Sequence, residues 1–407
     1  MPILKISAPP LSARIGSDVL SSTLARILAS GAATTKPELV RVSGLARTTV
    51  DAGVRDLFDR GVVRAAGYQQ SAGRGRAAEL LELNPDYGSV LVADCGRHSA
   101  TLALVDFRQD RLGSLRIDVE FSDGPEVVLE SIVRGFRELL ADSPRRRLVA
   151  VVGVPAPVDY HSGSFVRPPF MPGWDRFPVA RHLGEALGCD VVLENDVHLR
   201  ALGEARVGPD LIGPLLYIKI GTGIGAGIVS SGGALFRGAD GATGEIGHLK
   251  VNNQDELCVC GSRGCLETVA SVGALTRHMV GGAPATAILR EDRDLFISRL
   301  EQGDPEVIAS VRLAAQHIGE AIANLVHVLN PQRIVVGGTL AIAQDELLAT
   351  IRSIVYQQAL PISTRELMLV GPALGADSGL AGGIVLGIEH ALSPERLDGH
   401  ARDKSAR

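Results

Sequence analysis

The 407-residue sequence is poor in aromatic side chains, which make up 4% of it, and it has only five cysteines. No apolar run approaches the roughly twenty residues of a membrane span, and the start, MPILKISAPPLSARIG, lacks a signal-peptide core. These absences argue against a membrane or secreted protein, so a cytoplasmic location is expected. Hydrophobic residues make up 45% of the chain. That share is typical of an α/β protein, and the length suits two or three domains.

The formal charge of −5 is unevenly distributed along the chain. Residues 1–87 carry 11 Lys and Arg against 8 Asp and Glu, a charge of +3, and the remainder carries 30 against 38, a charge of −8. A net negative charge argues against general polyanion binding. A basic head on an acidic body is, however, typical of a small nucleic-acid-binding module attached to a ligand-binding domain.

Three of the five cysteines lie with a histidine in residues 244–267, which read GEIGHLKVNNQDELCVCGSRGCLE. Thiolates with one imidazole are the ligand set of a closed tetrahedral zinc site. The expected ligands are His248, Cys258, Cys260 and Cys265. The alternative is a cluster of free thiols or a disulfide, which the CxC spacing disfavours. Because protein side chains fill all four positions, the predicted role of the zinc is structural and not catalytic.

Three helices and a hairpin are predicted near the amino terminus. Apolar residues at helical spacing predict helices over 18–30 and from about 47 to 60, and Thr35-Lys36-Pro37-Glu38 is a capping box that begins a short helix between them. Two short strands, 62–63 and 80–83, flank a loop rich in glycine and arginine. This order predicts an α+β winged helix-turn-helix domain over residues 1–86.

The outward face of the third predicted helix offers donors and methyl groups suited to base edges in a major groove. The loop of the predicted wing could reach phosphate or a minor groove. The residues expected to contact a double-stranded DNA operator are Arg47, Thr48, Thr49 and Arg55 on the helix and Arg74 and Arg76 on the loop. The alternative is a helical dimerisation module whose arginines are merely solvated.

Beyond a turn at 84–88 the pattern changes to apolar strands and helices. A strand, a glycine turn and a second strand occur twice, at 94–96 and at 221–225, which suggests two actin-like lobes around a cleft. The segment 221–226 also matches the dinucleotide fingerprint GxGxxA, but a strand is predicted after it where that fingerprint requires a helix. Residues after Ser393 are polar and are expected to be frayed.

A predicted strand at 191–193 ends in Glu194-Asn195-Asp196, at the strand end where α/β sheets bind ligands. Asp196 could deprotonate a substrate hydroxyl, with Asn195, Glu245, His248 and Glu267 holding other hydroxyls. Such a base beside a glycine turn and a polyol pocket suits phosphoryl transfer. In that reaction the protein mostly positions the reacting groups and neutralises their charge. The alternative for Asn195 and Asp196 is helix capping, because a helix follows.

These motifs together resemble the ROK family, named for repressors, open reading frames and kinases. The resemblance covers about residues 90–389, and the amino-terminal module looks like that of the repressor branch. The matching motifs are 194–196 with Leu202-Gly203-Glu204, 221–225, 244–248, the CVCGSRGCLE knuckle, Asn330-Pro331 with Gly337-Gly338, and 375–379. The resemblance implies an actin-like sugar-kinase fold of the Hsp70 type over 87–395, followed by a polar tail, 396–407. It also implies zinc in the knuckle 248–265 and sugar contacts from Asn195, Asp196, Glu245, His248 and Glu267.

Two departures bear on the choice between kinase and regulator. Kinases of the family usually read Asp-x-Gly-Gly-Thr-Lys at the first phosphate loop, where this chain has Asp94-Cys95-Gly96-Arg97-His98-Ser99. Arg97 would block the close approach of backbone to a triphosphate. Mg²⁺-ATP is therefore not expected on the phosphate-loop residues Asp94, Gly96, Gly221, Thr222, Gly223 and Gly225. Phe170 replaces a polar residue in the loop before the sugar site, which puts an ordinary hexose in question.

The favoured prediction is therefore a sugar-responsive transcriptional regulator and not an enzyme, with repression the commoner activity of the branch it resembles. It is expected to bind a palindromic operator as a homodimer or homotetramer. The alternative is an ATP-dependent, glucokinase-like sugar kinase with a DNA-binding appendage, in which Asp196 is the catalytic base.

Overall fold

The structure is a computed structural model that describes residues 1–2, 4–7, 16–69, 77–141, 143–168, 171–207, 213–282 and 289–397. Its helices are α1 (Ser17–Ala29), α2 (Lys36–Ser43), α3 (Arg47–Asp59), α4 (Pro125–Leu140), α5 (Val179–Leu187), α6 (Asp196–Ala205), α7 (Glu267–Ala270), α8 (Val272–Met279), α9 (Arg290–Glu301), α10 (Pro305–Leu329), α11 (Gln344–Gln358), α12 (Pro361–Thr364) and α13 (Ser378–Ala391). Its strands are β1 (Val63–Tyr68), β2 (Glu79–Leu83), β3 (Ser89–Cys95), β4 (Ser99–Asp106), β5 (Arg111–Asp118), β6 (Arg147–Val154), β7 (Val158–Asp159), β8 (Ser164–Phe165), β9 (Asp190–Asn195), β10 (Leu215–Ile220), β11 (Ile224–Val229), β12 (Arg333–Gly337) and β13 (Met368–Val370).

The amino-terminal helices α1, α2 and α3 and the antiparallel pair β1–β2 occur where the sequence predicted three helices and a hairpin. The Thr35 hydroxyl accepts from the Glu38 amide at 3.4 Å, but the Glu38 carboxylate accepts from the Thr34 amide, at 2.8 Å, one residue earlier than an ordinary capping box. Gly44, with φ of 69°, ends α2 in the left-handed conformation that favours glycine. Only 45–46 then separate this turn from α3.

The body contains two mixed sheets of similar topology. The first has the order β5-β4-β3-β6-β9, and the second has the order β11-β10-β12-β13. In each, a glycine turn joins an antiparallel pair, β3–β4 or β10–β11, and parallel strands continue the sheet from β3 or β10. This repetition is the duplicated arrangement that the two glycine turns predicted. The sheets are the centres of two lobes, called the first and second lobe below.

Helices α6 and α13 connect the two lobes. Helix α6 packs on β10 and β11 of the second lobe, whereas α13 packs on β3 and β6 of the first, and the two helices pack on each other. Their contact is very close, because a Cβ added at Gly203 would lie 2.2 Å from the Ser378 carbonyl oxygen and one at Gly382 1.8 Å from that of Leu199. Glycine is therefore required at both positions for the helices to cross at this distance.

The amino-terminal module and the body share one apolar core. Leu24, Val54 and Leu83 belong to the same buried cluster as Val90 and Leu392. Residues 4–7, which the predicted first domain of 1–86 includes, lie on the body: the Leu4 amide donates to Gln109 at 2.7 Å and the Lys5 amide to the Arg206 carbonyl at 3.1 Å. The amino-terminal module is therefore held against the body along a continuous interface.

The expectation of a frayed chain after Ser393 is wrong for its first residues. Leu397 is fully buried in the shared core, and its carbonyl accepts from the Arg60 guanidinium at 2.6 Å. The sequence did not indicate that Leu397 is buried, because its neighbours in the sequence are mostly polar. The rest of the predicted polar tail, residues 398–407, lies outside the described residues. None of the described helices combines the length and apolar character needed to cross a lipid bilayer.

Candidate functional site

A cavity of about 350 Å³ is lined by residues of both lobes. The residues predicted to hold a sugar all line this cavity, namely Asn195, Asp196, Glu245, His248 and Glu267. Thr222, Gly223 and Gly225 of the second glycine turn also line it, whereas Asp94, Gly96 and Gly221 are not among its lining residues. The fold therefore brings a group of polar side chains from distant parts of the sequence to one hollow.

Asn195 and Asp196 have different roles at the start of α6. Asn195 is the cap: its Oδ1 accepts from the Val197 and His198 amides at 2.9 and 3.4 Å, and its Nδ2 donates to the Ala156 carbonyl at 3.1 Å. The capping alternative is therefore correct for Asn195. The buried Asp196 carboxylate instead accepts from the Lys219 ammonium, which comes from β10 in the second lobe.

A buried ionic network supports this end of α6 from behind. Glu194 accepts from His198 Nδ1 at 2.9 Å and from Arg237 Nε at 2.7 Å, and His198 Nε2 contacts the Thr243 carbonyl at 2.9 Å. Burial opposes the charge on Glu194, but its contacts with His198 and Arg237 outweigh burial and lower the pKa of Glu194. Glu194 likewise raises the pKa of His198 despite burial. The network is thus a charged, hydrogen-bonded support that fixes α6 beside the cavity.

A second buried ion pair joins α6 to the first glycine turn. Asp94, at the end of β3, accepts from Arg200 Nη2 at 2.7 Å, and both side chains are largely buried. Burial raises the pKa of Asp94, partly offset by Arg200. Burial also opposes the charge on Arg200, but the carboxylates of Asp94 and Asp196 outweigh it and raise its pKa. Asp94 is therefore already neutralised by a side chain of this protein.

The second glycine turn lies against the acidic wall of the cavity. The Gly221 amide donates to the Gly223 carbonyl at 2.9 Å, and β11 begins directly afterwards at Ile224. The strand confirms that the dinucleotide fingerprint does not apply. A Cβ at Gly223 would lie 3.1 Å from Glu267 Oε2, so glycine here leaves room for the carboxylate. Glu267 itself begins α7 two residues after Cys265.

The ligand atoms of His248, Cys258, Cys260 and Cys265 all lie within 4.8 Å of one another. Cys258 Sγ lies 3.6 Å from His248 Nδ1, and Cys260 Sγ lies 3.7 Å from Cys265 Sγ. A tetrahedral ion with bonds of about 2.3 Å would separate two sulfur ligands by about 3.8 Å. The donor set and its spacing therefore fit a metal ion, and the predicted grouping of these four side chains is confirmed.

The metal-ligand cluster is directly connected to the acidic residues of the cavity. Glu267 Oε1 lies 3.1 Å from Cys258 Sγ and 3.8 Å from His248 Nδ1, and Glu245 Oε2 lies 3.8 Å from His248 Nε2. Lys250 Nζ also donates to Cys265 Sγ at 3.1 Å. An ion held here would fix the His248 imidazole, which both carboxylates approach.

The predicted DNA-contacting residues of α3 face solvent to different degrees. Arg47, Thr48 and Arg55 are exposed and Thr49 is half-buried, while Val50, Val54 and Leu57 on the opposite face are buried. Arg74 and Arg76 lie outside the described residues, and so does Phe170 of the loop before the sugar site. Helix α3 thus has a polar face open to solvent and an apolar face in the core.

Several charged residues of this site were not singled out from the sequence. Lys219, Arg200, Arg237 and His198 make the ion pairs that fix or neutralise Asp196, Asp94 and Glu194. Spacing along the chain signals one of these pairs, since Glu194 and His198 are four residues apart. The other three pairs join residues that are distant in the sequence, which spacing does not reveal.

The two lobes of similar topology, the polar cleft between them and the cysteine cluster define a sugar-kinase-like α/β protein. Residues 90–390 match the ROK family, and the chain belongs to that family.

Three relatives illustrate this membership. The putative xylose repressor of Caldicellulosiruptor sp. (strain Rt8B.4) is 31% identical over 337 residues, which are 80% of this chain and 84% of the repressor. The crystal structure of a ROK family transcriptional regulator described as a homolog of E. coli MLC superimposes with a TM-score of 0.76 and 26% identity, covering 94% of this chain and 98% of that one. A ROK family glucokinase from Streptomyces griseus, solved with glucose and AMPPNP, has a TM-score of 0.61 and 25% identity, covering 74% of this chain and 99% of the enzyme.

Proposed function

We propose that this protein is a sugar-responsive, DNA-binding transcriptional regulator of carbohydrate metabolism that acts as a repressor. The observation that carries the proposal is the difference in coverage between the two classes of relatives. The regulator structure matches 94% of the chain, whereas the glucokinase structure is itself matched almost completely and yet covers only 74% of this chain. The additional part of the chain that the regulator structure covers is about as long as the segment of amino-terminal helices and hairpin.

In this proposal residues 1–86 form a winged helix-turn-helix domain, with α3 as the recognition helix and the β1–β2 hairpin as the wing. The tight Gly44 turn between α2 and α3, and the exposed polar face of α3, support this assignment. Contacts with an operator are assigned to Arg47, Thr48, Thr49 and Arg55, and to Arg74 and Arg76 on the wing. A homodimer or homotetramer would present two such helices to a palindrome.

The effector site is the cavity within residues 87–395. Asn195, Asp196, Glu245, His248 and Glu267 would hold the hydroxyls of a sugar, since carboxylates and imidazole are suited to accept and donate several hydrogen bonds. Zinc is the metal that best suits one imidazole and three thiolates. When bound it would supply a rigid structural link, and with four protein ligands it would have no open position for a reactive water.

The two buried ion pairs favour a regulator over a kinase. A general base must be free to receive a proton, but the Asp196 carboxylate is paired with Lys219. A phosphate loop must offer room and a carboxylate to Mg²⁺, but Asp94 is paired with Arg200 and Arg97 stands where the kinases have glycine. The kinase alternative retains support from the glucokinase relatives, so catalysis needs a direct test.

We expect the purified chain to be stabilised by a sugar without consuming ATP. Thermal unfolding would be measured against xylose, glucose and a wider panel, because a ligand that binds only the folded state at about 100 times its Kd adds about 2.7 kcal/mol of stability. ADP release with Mg²⁺-ATP would be followed in parallel, with Asp196→Asn as the control. Sugar-dependent ADP release that Asp196→Asn abolishes would establish the kinase instead.

A physical connection runs from the cavity to the amino-terminal helices. Helix α6 begins at the sugar-contacting residues and is followed by Arg206, whose buried guanidinium lies 3.0 Å from Glu389 of α13. The Glu389 carbonyl accepts from Arg26 of α1 at 2.6 Å, and the Leu392 carbonyl accepts from the Ser22 hydroxyl. A shift of α6 on sugar binding would therefore move the part of α13 that contacts α1 of the DNA-binding domain.

Glu389→Gln is expected to weaken this communication more than it weakens either binding reaction. The amide keeps the hydrogen bonds from Ser7 but loses the charge that pairs with Arg206, so the contact between α6 and α13 loosens. Fluorescence anisotropy with operator DNA, with and without sugar, should show a loss of at least half of a coupling energy of about 1–3 kcal/mol. Glu185→Gln, on the exposed face of α5, is the matched control. Unchanged coupling in Glu389→Gln would contradict this route.

A further inference from the structure

Residues 4–7, called the arm below, lie in a groove of the body. Leu4 and Ile6 are buried in the shared apolar core, whereas Lys5 and Ser7 are half-buried. A burial period of two residues is the pattern of an extended chain that packs along one face. The groove therefore takes a short extended peptide with apolar side chains at alternate positions.

The side chain of Gln109, in the turn between β4 and β5, binds the backbone of the arm as a neighbouring strand would. Its Oε1 accepts from the Leu4 amide at 2.7 Å, and its Nε2 donates to the Leu4 carbonyl at 2.9 Å. Gln109 has a φ of 73°, in the left-handed region that favours glycine. Because glycine would adopt this conformation with less strain, the two hydrogen bonds give the glutamine side chain a function that glycine could not supply.

The end of α6 and one residue of α13 hold the rest of the arm. The Lys5 amide donates to the Arg206 carbonyl at 3.1 Å, and the Lys5 carbonyl accepts from Arg206 Nη1 at 3.0 Å. The Ser7 amide and hydroxyl both donate to Glu389 at 2.8 Å. Arg206 directly follows α6, the helix whose first residues line the cavity. A displacement of α6 would therefore reach the arm through the two hydrogen bonds between Arg206 and Lys5.

We propose that this groove is a peptide-recognition site, and that the arm it holds is released when sugar binds in the cavity. Backbone hydrogen bonds with alternate buried side chains are the means by which proteins recognise extended peptides. The arm belongs to the same chain as α1, so its docking restrains the DNA-binding domain, and its release would free that domain to move. This inference rests on the proposed sugar-responsive function. It adds a connection through Gln109 and Arg206 to the contact between Glu389 and Arg26.

Hydrogen exchange of the full chain, with and without sugar, measures release of the arm directly. The amides of Leu4, Lys5 and Ser7 all donate hydrogen bonds, so they should be protected from exchange in the sugar-free protein. Saturation with the sugar that thermal unfolding identifies should make this segment exchange at least about tenfold faster. Strand β6, an inner strand of the first sheet, should exchange equally in both states. An arm that only completes the core would show no change.

Gln109→Gly should weaken the response of operator binding to sugar. The substitution removes both hydrogen bonds to Leu4, and glycine accepts the left-handed backbone, so the fold should be retained. Allosteric ligands typically change affinity about 5–150-fold, and the sugar effect on operator affinity, measured by anisotropy, should fall at least about threefold in this variant. The affinity for sugar should be unchanged. Asn330→Gly is the matched control, because it replaces another left-handed residue, with a φ of 43°, at the end of α10.

The possible results separate this inference from the proposed function. If operator binding responds to sugar but the exchange rate of residues 4–7 does not, the releasable arm is overturned and the regulator stands. A full sugar response in folded Gln109→Gly, as judged by thermal unfolding, would also overturn the arm. If Gln109→Gly does not fold, the exchange measurement on the wild-type chain decides. Operator binding that no sugar of the panel alters would count against the proposed function itself.

Discussion

Cys260→Ser is expected to release the bound metal ion and most of the sugar affinity together. The side chain of Cys260 is exposed, so its replacement creates no cavity in the core, and the expected loss follows from the ligand alone. A serine hydroxyl does not replace a thiolate on zinc, and structural zinc contributes about 10–16 kcal/mol of binding free energy in small zinc domains at neutral pH. Without the ion, the His248 imidazole is no longer fixed, so Glu245 and Glu267 lose the restraint that their contacts with it provide.

Elemental analysis would measure the metal content, and calorimetry the sugar affinity, of wild-type protein, Cys260→Ser and a control. We expect stoichiometric zinc in the wild type, little in the variant, and a sugar affinity lowered about tenfold or more, equivalent to about 1.4 kcal/mol. Cys189→Ser removes a thiol outside the cluster and should retain both properties. A variant that loses its metal but keeps its sugar affinity would show that the ion does not shape the effector site.

Arg47→Ala and Arg55→Ala are each expected to reduce operator affinity by about 1–3 kcal/mol, the range for a specific arginine contact to a base. Both side chains are exposed, and Arg47, whose side chain is 89% accessible, lies 3.9 Å from Asp51. Folding should therefore be unaffected, since exposed ion pairs of this kind contribute little. Arg312→Ala, on an exposed face of α10 in the second lobe, should bind operator as the wild type does.

Salt titration would separate base contacts from phosphate contacts in this experiment. A lost phosphate contact lowers the slope of log affinity against log salt by about 0.9 per site, whereas a lost base contact relaxes sequence preference and leaves that slope nearly unchanged. An operator selected from random DNA, measured by anisotropy, provides the substrate. Wild-type affinity and footprints from both arginine variants would exclude α3 as the recognition helix.

Local sequence signals predicted local structure well. Helix α3 begins and ends within about a residue of the prediction, because its apolar stripe and the glycine after it are short-range features. The four metal ligands fall within eighteen residues, so their grouping followed from spacing and side-chain chemistry. The glycine turns at Gly96 and Gly221 likewise predicted the two lobes of the body.

Long-range pairings could not be predicted in the same way. Lys219 meets Asp196 only because β10 and α6 pack against each other, and Arg200 meets Asp94 only because α6 packs on α13, which itself packs on β3. Leu397 appeared to belong to a polar tail, yet three-dimensional packing places it in a core shared with α1 and α3.

The sequence by itself determined the elements, the thiol and imidazole ligand set, and the family to which the chain belongs. Those properties depend on residues close in the chain, whose spacing fixes which side chains share a helix face or a turn. The tertiary structure alone decided which charges meet: Lys219 and Arg200 pair with the carboxylates of Asp196 and Asp94, arginines of both lobes line one cavity, and α6 links that cavity to the amino-terminal helices. Electrostatic interactions weaken with distance in space and not along the chain, so only the folded arrangement determines them.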